Sequence, residues 1–362
     1  MTDDTDDERR ATTDDARTVL DREFPDREIA GLATSPRGNR KRTVFVTFGD
    51  GSRVVVQLAT LPVVRTETAL ARLVGRRTSI PVPQVRAVGQ IDDRGYAVTD
   101  AVPGDDLHTR FAGFASDRQR ALCRTFGRGL AELHELSEFD SYGPVAFVGD
   151  WEKFVGGVRR GEDAPGPDSF GVVSTDEKQC DVTALPGRTP SDDWHAWLRN
   201  YVDTGLRALP AEFDDLRDRL TTVIDADVAE DRVPPAPTSR LFPWDFRPGN
   251  ALVADDRVTA MLDWGEPLAA DPALSVAKTE HLLADWYVEP PANTDLRRAF
   301  RAGYESVRPI PSVPSAYRVV AVVLSAVDST GEVTRPRYPE LTGDDAVAFH
   351  RERLLAALGD AG

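Results

Sequence analysis

The chain has 362 residues, 41% of them hydrophobic, enough for a substantial core and, at roughly 150 residues per domain, for about two domains. Its net charge is −16, from 60 acidic and 44 basic residues, and such a surface repels phosphate backbones, which argues against a nucleic-acid partner. No apolar run reaches the length of a membrane span, and the acidic start MTDDTDDERR is unlike a secretory leader, so the expectation is a cytoplasmic protein without a membrane partner.

Lysine is scarce, found only at Lys41, Lys153, Lys178 and Lys278, while arginine supplies the other positive charges. An acidic, lysine-poor surface is read as a solubility adaptation to a high-salt, halophilic interior, so the charge says little about substrate. Cys123 and Cys180 form no Cys-x-x-Cys pair, which excludes a disulfide framework or a structural zinc site as an expectation.

In chain order, residues 1–15 are acidic and nearly devoid of apolar side chains, and read as a disordered tail. Val44–Phe48 and Arg53–Leu58 alternate around the turn Gly49-Asp50-Gly51-Ser52 and predict a β-hairpin. A helix is expected at about Glu67–Val74, then short strands at Val85–Val88 and Tyr96–Thr99. Residues 16–100 would thus form a small β-rich lobe. Asp100-Ala101-Val102-Pro103-Gly104 marks a boundary, and residues 101–362 form a larger, mostly helical part. Helices are predicted at 121–136, 194–209, 273–286, 296–306, 315–327 and 344–358, with most of 150–192 as a Gly-, Pro- and Asp-rich loop.

Chemistry concentrates between Leu241 and Gly265. LFPWDFRPGNALV and VTAMLDWG predict a hairpin turning at Asp255-Asp256-Arg257, which gathers Asp245, Asn250 and Asp263 towards one end. Phosphoryl transfer needs such a set: a carboxylate to orient and deprotonate the acceptor, and hard oxygens for Mg²⁺.

D-F-R-P-G-N followed by L-D-W-G resembles the catalytic and metal motifs of the aminoglycoside phosphotransferase and choline kinase family, with spacings of five and thirteen residues that suit its pattern. The resemblance implies an α+β, two-lobed protein-kinase-like fold and transfer of the γ-phosphoryl group of ATP to a hydroxyl of a small molecule. Asp245 would be the catalytic base, and Asn250 and Asp263 would hold Mg²⁺. The nucleotide would meet Gly38 and Asn39 in the loop before the hairpin, the strand residue Gln57, Glu67 of the following helix, and the hinge backbone at Asp100 and Val102. Asp271-Pro272 also resembles a family segment.

Three positions depart from the pattern. Gln57 stands where a phosphate-binding lysine is expected and cannot form an ion pair with Glu67. The loss of one charge-assisted contact costs about 1.5–3 kcal/mol, unless Arg53 or the Arg37, Arg40, Lys41, Arg42 cluster compensates. Pro243 replaces a scaffolding histidine, and Ser275 an acidic residue. These departures leave a catalytically weakened nucleotide-binding module as the alternative to an active kinase.

Overall fold

The computed structural model describes residues 3–35, 41–162, 164–174, 187–328 and 330–359, with side chains from Thr12 onward. Two compact units divide the chain. The first gathers residues 1–103, 146–170 and 259–266, and the second 104–145, 171–258 and 267–362. A single boundary at residue 100 was therefore too simple: the chain leaves the first unit at Pro103 and returns to it twice. Among the described residues, no helix is long and apolar enough to cross a membrane.

In the first unit, helix α1 (Asp3–Glu23) is followed by strands β1 (Ile29–Thr34), β2 (Arg42–Phe48) and β3 (Arg53–Thr60), helix α2 (Leu61–Arg77), and strands β4 (Val85–Ile91) and β5 (Arg94–Asp100). The strands form one antiparallel sheet in the order β1-β2-β3-β5-β4. The predicted hairpin is β2-β3, closed through Gly51, whose φ of 81° favours glycine. Register pairs Val44 with Val56 and Val46 with Val54, so alternate residues from both strands share a buried face.

Ala16, Val19 and Leu20 of α1 pack into that same core with Phe48, Leu58, Tyr96 and Val98. The acidic segment read as a tail thus lies within a helix, anchored by three apolar residues at helical spacing just beyond it. Helix α2 begins at Pro62-containing sequence suited to a first turn and packs against β3, β4 and β5. It comes so near β5 that a side chain at Gly95 would lie 2.9 Å from Val64 and 3.0 Å from the Leu61 backbone. That closeness fixes α2, and with it Glu67, against the sheet.

Within 150–192 the described residues include one helix that the sequence did not announce. Helix Trp151–Arg160 is capped by the Asp150 side chain at the Lys153 N–H and closed by left-handed Gly161. Residues 175–186 lie outside the described residues.

The second unit is helical, with Ser116–Leu136, Trp194–Ala208, Asp214–Ala229, Pro272–Glu280, Ala292–Glu305, Ser315–Val323 and Asp344–Gly359 as its main helices. Its core is aromatic at the centre: Trp194, Trp197 and Tyr201 stack along one helix face, with ring centroids 5.2 and 4.8 Å apart. Helix Asp214–Ala229 was hidden by its charged sequence, since Leu216, Leu220 and Ile224 are its only fully buried apolar residues. Short strand Ser239–Phe242 pairs with Leu268–Ala270 and Glu138–Phe139 and delivers the chain to the loop that contains Asp245.

Candidate active site

Beyond Phe242 the chain turns through Pro243–Arg247 and a single 3-10 turn, Pro248–Asn250, before strand Ala251–Ala254. Phe246 anchors this loop in the core, its ring 5.2 Å from that of Phe126. The Asn250 N–H donates to the Arg247 carbonyl at 3.0 Å, and its side-chain amide donates to the Asp245 carbonyl at 2.9 Å. The loop is thus tied from within, without the histidine that Pro243 replaces. Because the amide nitrogen is engaged, the Asn250 side-chain oxygen is the atom left to coordinate a cation.

The Asp245 carboxylate stands between two cations. Arg247 Nε is 3.5 Å from Oδ2, and Lys278 Nζ is 3.9 Å from Oδ1. Lys278 comes from helix Pro272–Glu280, whose start is fixed by Asp271: its carboxylate accepts from the Ala273 N–H at 2.8 Å and from the Tyr317 hydroxyl at 2.7 Å. Ser275, the residue that departs from the acidic pattern, is buried and partnered. Its hydroxyl donates to the Pro272 carbonyl and meets His134 Nε2 at 2.6 Å, while His134 Nδ1 meets the Tyr304 hydroxyl at 2.6 Å. Burial, with Arg308 and Arg240 assisting, drives the His134 pKa down, so a neutral imidazole bridges the two hydroxyls. Serine here serves packing between helices.

In the first unit, Lys41 sits immediately before β2. Its Nζ lies 2.6 and 2.7 Å from the two Glu67 carboxylate oxygens and 2.7 Å from Asp263 Oδ1. Burial opposes the charge on Lys41, but the two carboxylates outweigh it and hold the ammonium above the ordinary lysine range. Burial pushes the Glu67 carboxyl up, as does Asp263, while Lys41 and the Trp264 backbone N–H pull it down. Asp263 is held with φ of 60°, a left-handed conformation uncommon for a residue with a side chain. It follows the strand Arg257–Met261, reached by a turn in which Asp255 and Asp256 both have positive φ, at 46° and 65°.

Of the residues singled out from sequence, the structure brings Glu67 and Asp263 together around Lys41 in the first unit, and Asp245 and Asn250 together in the second. Gln57 is half-buried on β3, opposite Thr43 of β2. Asp100 ends β5, where its N–H donates to the Gln84 carbonyl and its carboxylate pairs with Arg86 at 2.6 Å, and Val102 lies just beyond the strand. Gly38 and Asn39 lie outside the described residues. The sequence reading gave Lys278 no role, although a lone lysine in the otherwise apolar run PALSVAK signalled a buried charge.

Among the described residues no group of three or more His, Cys, Asp or Glu side chains forms a metal cage. The donors still suit Mg²⁺, which is bound by one or two carboxylates with water and substrate phosphate completing its shell. Lys41 offsets one charge of the Glu67–Asp263 pair, which leaves a net −1 at half-exposed Asp263.

A family model described as the phosphotransferase enzyme family matches residues 33–310. A search of curated proteins finds no match. Solved structures do match. A ternary complex of the aminoglycoside phosphotransferase APH(4)-Ia with AMP-PNP and hygromycin B is similar with 16% identity and a TM-score of 0.59, covering 95% of this chain and 98% of that one. A chain from Thermobifida fusca described as a fructosamine-3-kinase has 17% identity and a TM-score of 0.52, covering 95% and 97%. At these identities the likeness establishes the fold, a protein-kinase-like arrangement of a β-rich N-terminal region and a helical C-terminal one.

Proposed function

The chain belongs to the phosphotransferase enzyme family, and from that membership we propose that it is an active small-molecule kinase moving the γ-phosphoryl group of ATP to an acceptor hydroxyl. The observation that carries the reading is the contact of Lys41 with both Glu67 and Asp263. A weakened nucleotide-binding module was suggested by the missing charge at position 57. Lys41 supplies a charge to the same glutamate, which removes the main support for that alternative.

In this reading Asp245 accepts the proton of the acceptor hydroxyl as its oxygen bonds to phosphorus and the bond to the ADP oxygen breaks. Asn250 and Asp263 would hold Mg²⁺, which supplies positive charge against the phosphate oxygens. Lys41, oriented by Glu67, would donate to phosphate, and Val102 would meet the base through its backbone. Catalysis then rests on positioning and fixed charge.

The test measures ADP release over an acceptor panel, together with Mg²⁺-dependent ATP binding, in high-salt buffer. Asp245→Asn is expected to abolish acceptor-dependent ADP release and spare ATP binding, whereas Asp263→Ala loses Mg²⁺-dependent binding. Turnover unchanged in Asp245→Asn would sink the reading.

A further inference from the structure

Lys278 is 3% exposed, and its neighbours on the helix, Leu274, Val276 and Ala277, are buried with it. An ammonium group has three protons to donate, yet its Nζ makes no hydrogen bond among the described residues. Asp245 Oδ1, at 3.9 Å, attracts it but is too distant to accept a hydrogen bond. The face of Trp244, whose centroid is 3.8 Å from Nζ, stabilises the cation without using its donors directionally. Leaving such donors unmade in a buried place is costly, and native structures rarely tolerate it without a reason.

A second group tells the same story. The Tyr201 hydroxyl is buried and without a hydrogen-bond partner among the described residues, while its ring stands edge-on to Trp244 with centroids 5.8 Å apart. Lys278, Trp244 and Tyr201 therefore offer an aromatic wall with unused polar tips beside the proposed base. Around that base the charge is positive, since Lys278 and Arg247 flank opposite oxygens of one carboxylate. Among the described residues no second carboxylate acts on Lys278. Asn250 is bonded within the catalytic loop, to the Arg247 and Asp245 carbonyls, whereas Lys278 reaches Asp245 from the separate helix Pro272–Glu280.

We propose that Lys278 is the anion-binding end of the acceptor subsite, so that the acceptor is a hydroxylated small molecule bearing a carboxylate or phosphate group. The inference rests on the phosphotransferase reading for the word acceptor, but the anion site is testable without turnover. A polycationic acceptor of the aminoglycoside type would meet two cations here, and is disfavoured.

Two matched ligand sets provide the test. Gluconate, sorbitol 6-phosphate, sorbitol and glucamine carry one polyol chain with a carboxylate, a phosphate, no charge or an ammonium. Glycerate, glycerol 3-phosphate, glycerol and 3-amino-1,2-propanediol repeat the series on a shorter chain. Affinity is measured for wild type, Lys278→Met and Lys278→Arg, with folding checked by circular dichroism and Mg-ATP affinity measured in parallel. In at least one set an anionic member should bind about tenfold or more tightly than the neutral one, the worth of one charge-assisted hydrogen bond. That preference should vanish in Lys278→Met, persist in part in Lys278→Arg, and leave Mg-ATP affinity unchanged. The carboxylate and phosphate members separate the two sources of the anion.

Neutral or cationic members binding as well as anionic ones in both sets overturns the proposal, as does a preference that survives in Lys278→Met. Loss of Mg-ATP affinity in a folded Lys278→Met protein assigns the lysine to the donor phosphate and overturns it too. Should Lys278→Met fail to fold, the wild-type ranking and Lys278→Arg still decide. A wild type that binds no Mg-ATP defeats the kinase reading separately from the anion preference.

Discussion

Lys41 reaches Glu67 from the residue just before β2, the strand beside the one that carries Gln57. Thr43 is the cross-strand partner of Gln57, and Lys41 lies two residues before Thr43, just ahead of the strand. The cation that meets Glu67 thus stands at position 41 and not at position 57. This was only half legible in the sequence: the chemistry-bearing residues Asp245, Asn250, Asp263 and Glu67 stood at family spacings, but nothing in linear order says which of Arg37, Arg40, Lys41 or Arg42 faces Glu67. Register decides that, and register is a tertiary fact. Lys41→Met should lower kcat/KM by about one to two decades, the cost of one charge-assisted contact in the transition state. Adding Gln57→Lys to that variant should restore part of the loss; kinetics of the double variant no better than Lys41→Met would show that position 57 cannot reach the same glutamate.

Lys278 adds a pH dependence at the same scale. Burial first, and Arg247 second, lower its pKa to about 8, with Asp245 opposing. The Tyr201 phenol, whose ring packs on Trp244, is pushed up by burial and then by Asp245, and stays protonated across this range. The ammonium is therefore lost as pH rises through about 8, and binding of gluconate or glycerate should weaken there while sorbitol binding stays level. For stability the sign is opposite, because an unfolded lysine keeps its proton to about 10.4 and deprotonation of the folded form relieves the buried charge between those values. A titration of affinity against pH from 7 to 9.5, flat for the anionic ligand, would count against Lys278 as its binding group.

Among elements, the helices Ser116–Leu136 and Ala292–Glu305 show what sequence patterning does and does not reveal. Their apolar stripes predict both helices, and the first was expected over 121–136. Their contact depends on two glycines instead. A side chain at Gly127 would fall 1.9 Å from the Phe300 carbonyl oxygen, and one at Gly303 would fall 2.1 Å from that of Arg124. Both obstacles are backbone, so neither can rotate away. Gly127→Ala and Gly303→Ala should each destabilise the protein by about 1–3 kcal/mol or more through overpacking, despite alanine's better helix propensity. A gain in unfolding midpoint for either would show that the helices can part without cost. Helix Asp214–Ala229 and strand β1 went unread for the converse reason: each has too few apolar residues, or too irregular an alternation, to announce itself before its partner is known. Beyond the family match at residue 310, Tyr317 still donates to Asp271 and accepts from the Trp194 indole at 2.9 Å, so the last helices complete the support of the helix that carries Lys278.

For the molecule as a whole, the net charge of −16 sets two electrostatic effects against each other. Many surface arginines are paired, among them Arg86 with Asp100 at 2.6 Å and Arg351 with Asp215 at 2.7 Å, and salt weakens such pairs. Each exposed pair contributes only about 0–1 kcal/mol, however, whereas the excess carboxylates repel one another throughout the surface. We propose that repulsion wins and that salt stabilises the fold. The Debye length falls from about 10 Å at 0.1 M to about 3 Å at 1 M, so screening should saturate within that range. The melting temperature should therefore climb most steeply below about 0.5 M KCl and level off afterwards, a shape that sucrose, which does not screen charge, should not reproduce. A melting temperature that stays constant or falls with KCl would mean that the paired arginines dominate, and the acidic surface would then need an explanation other than adaptation to salt.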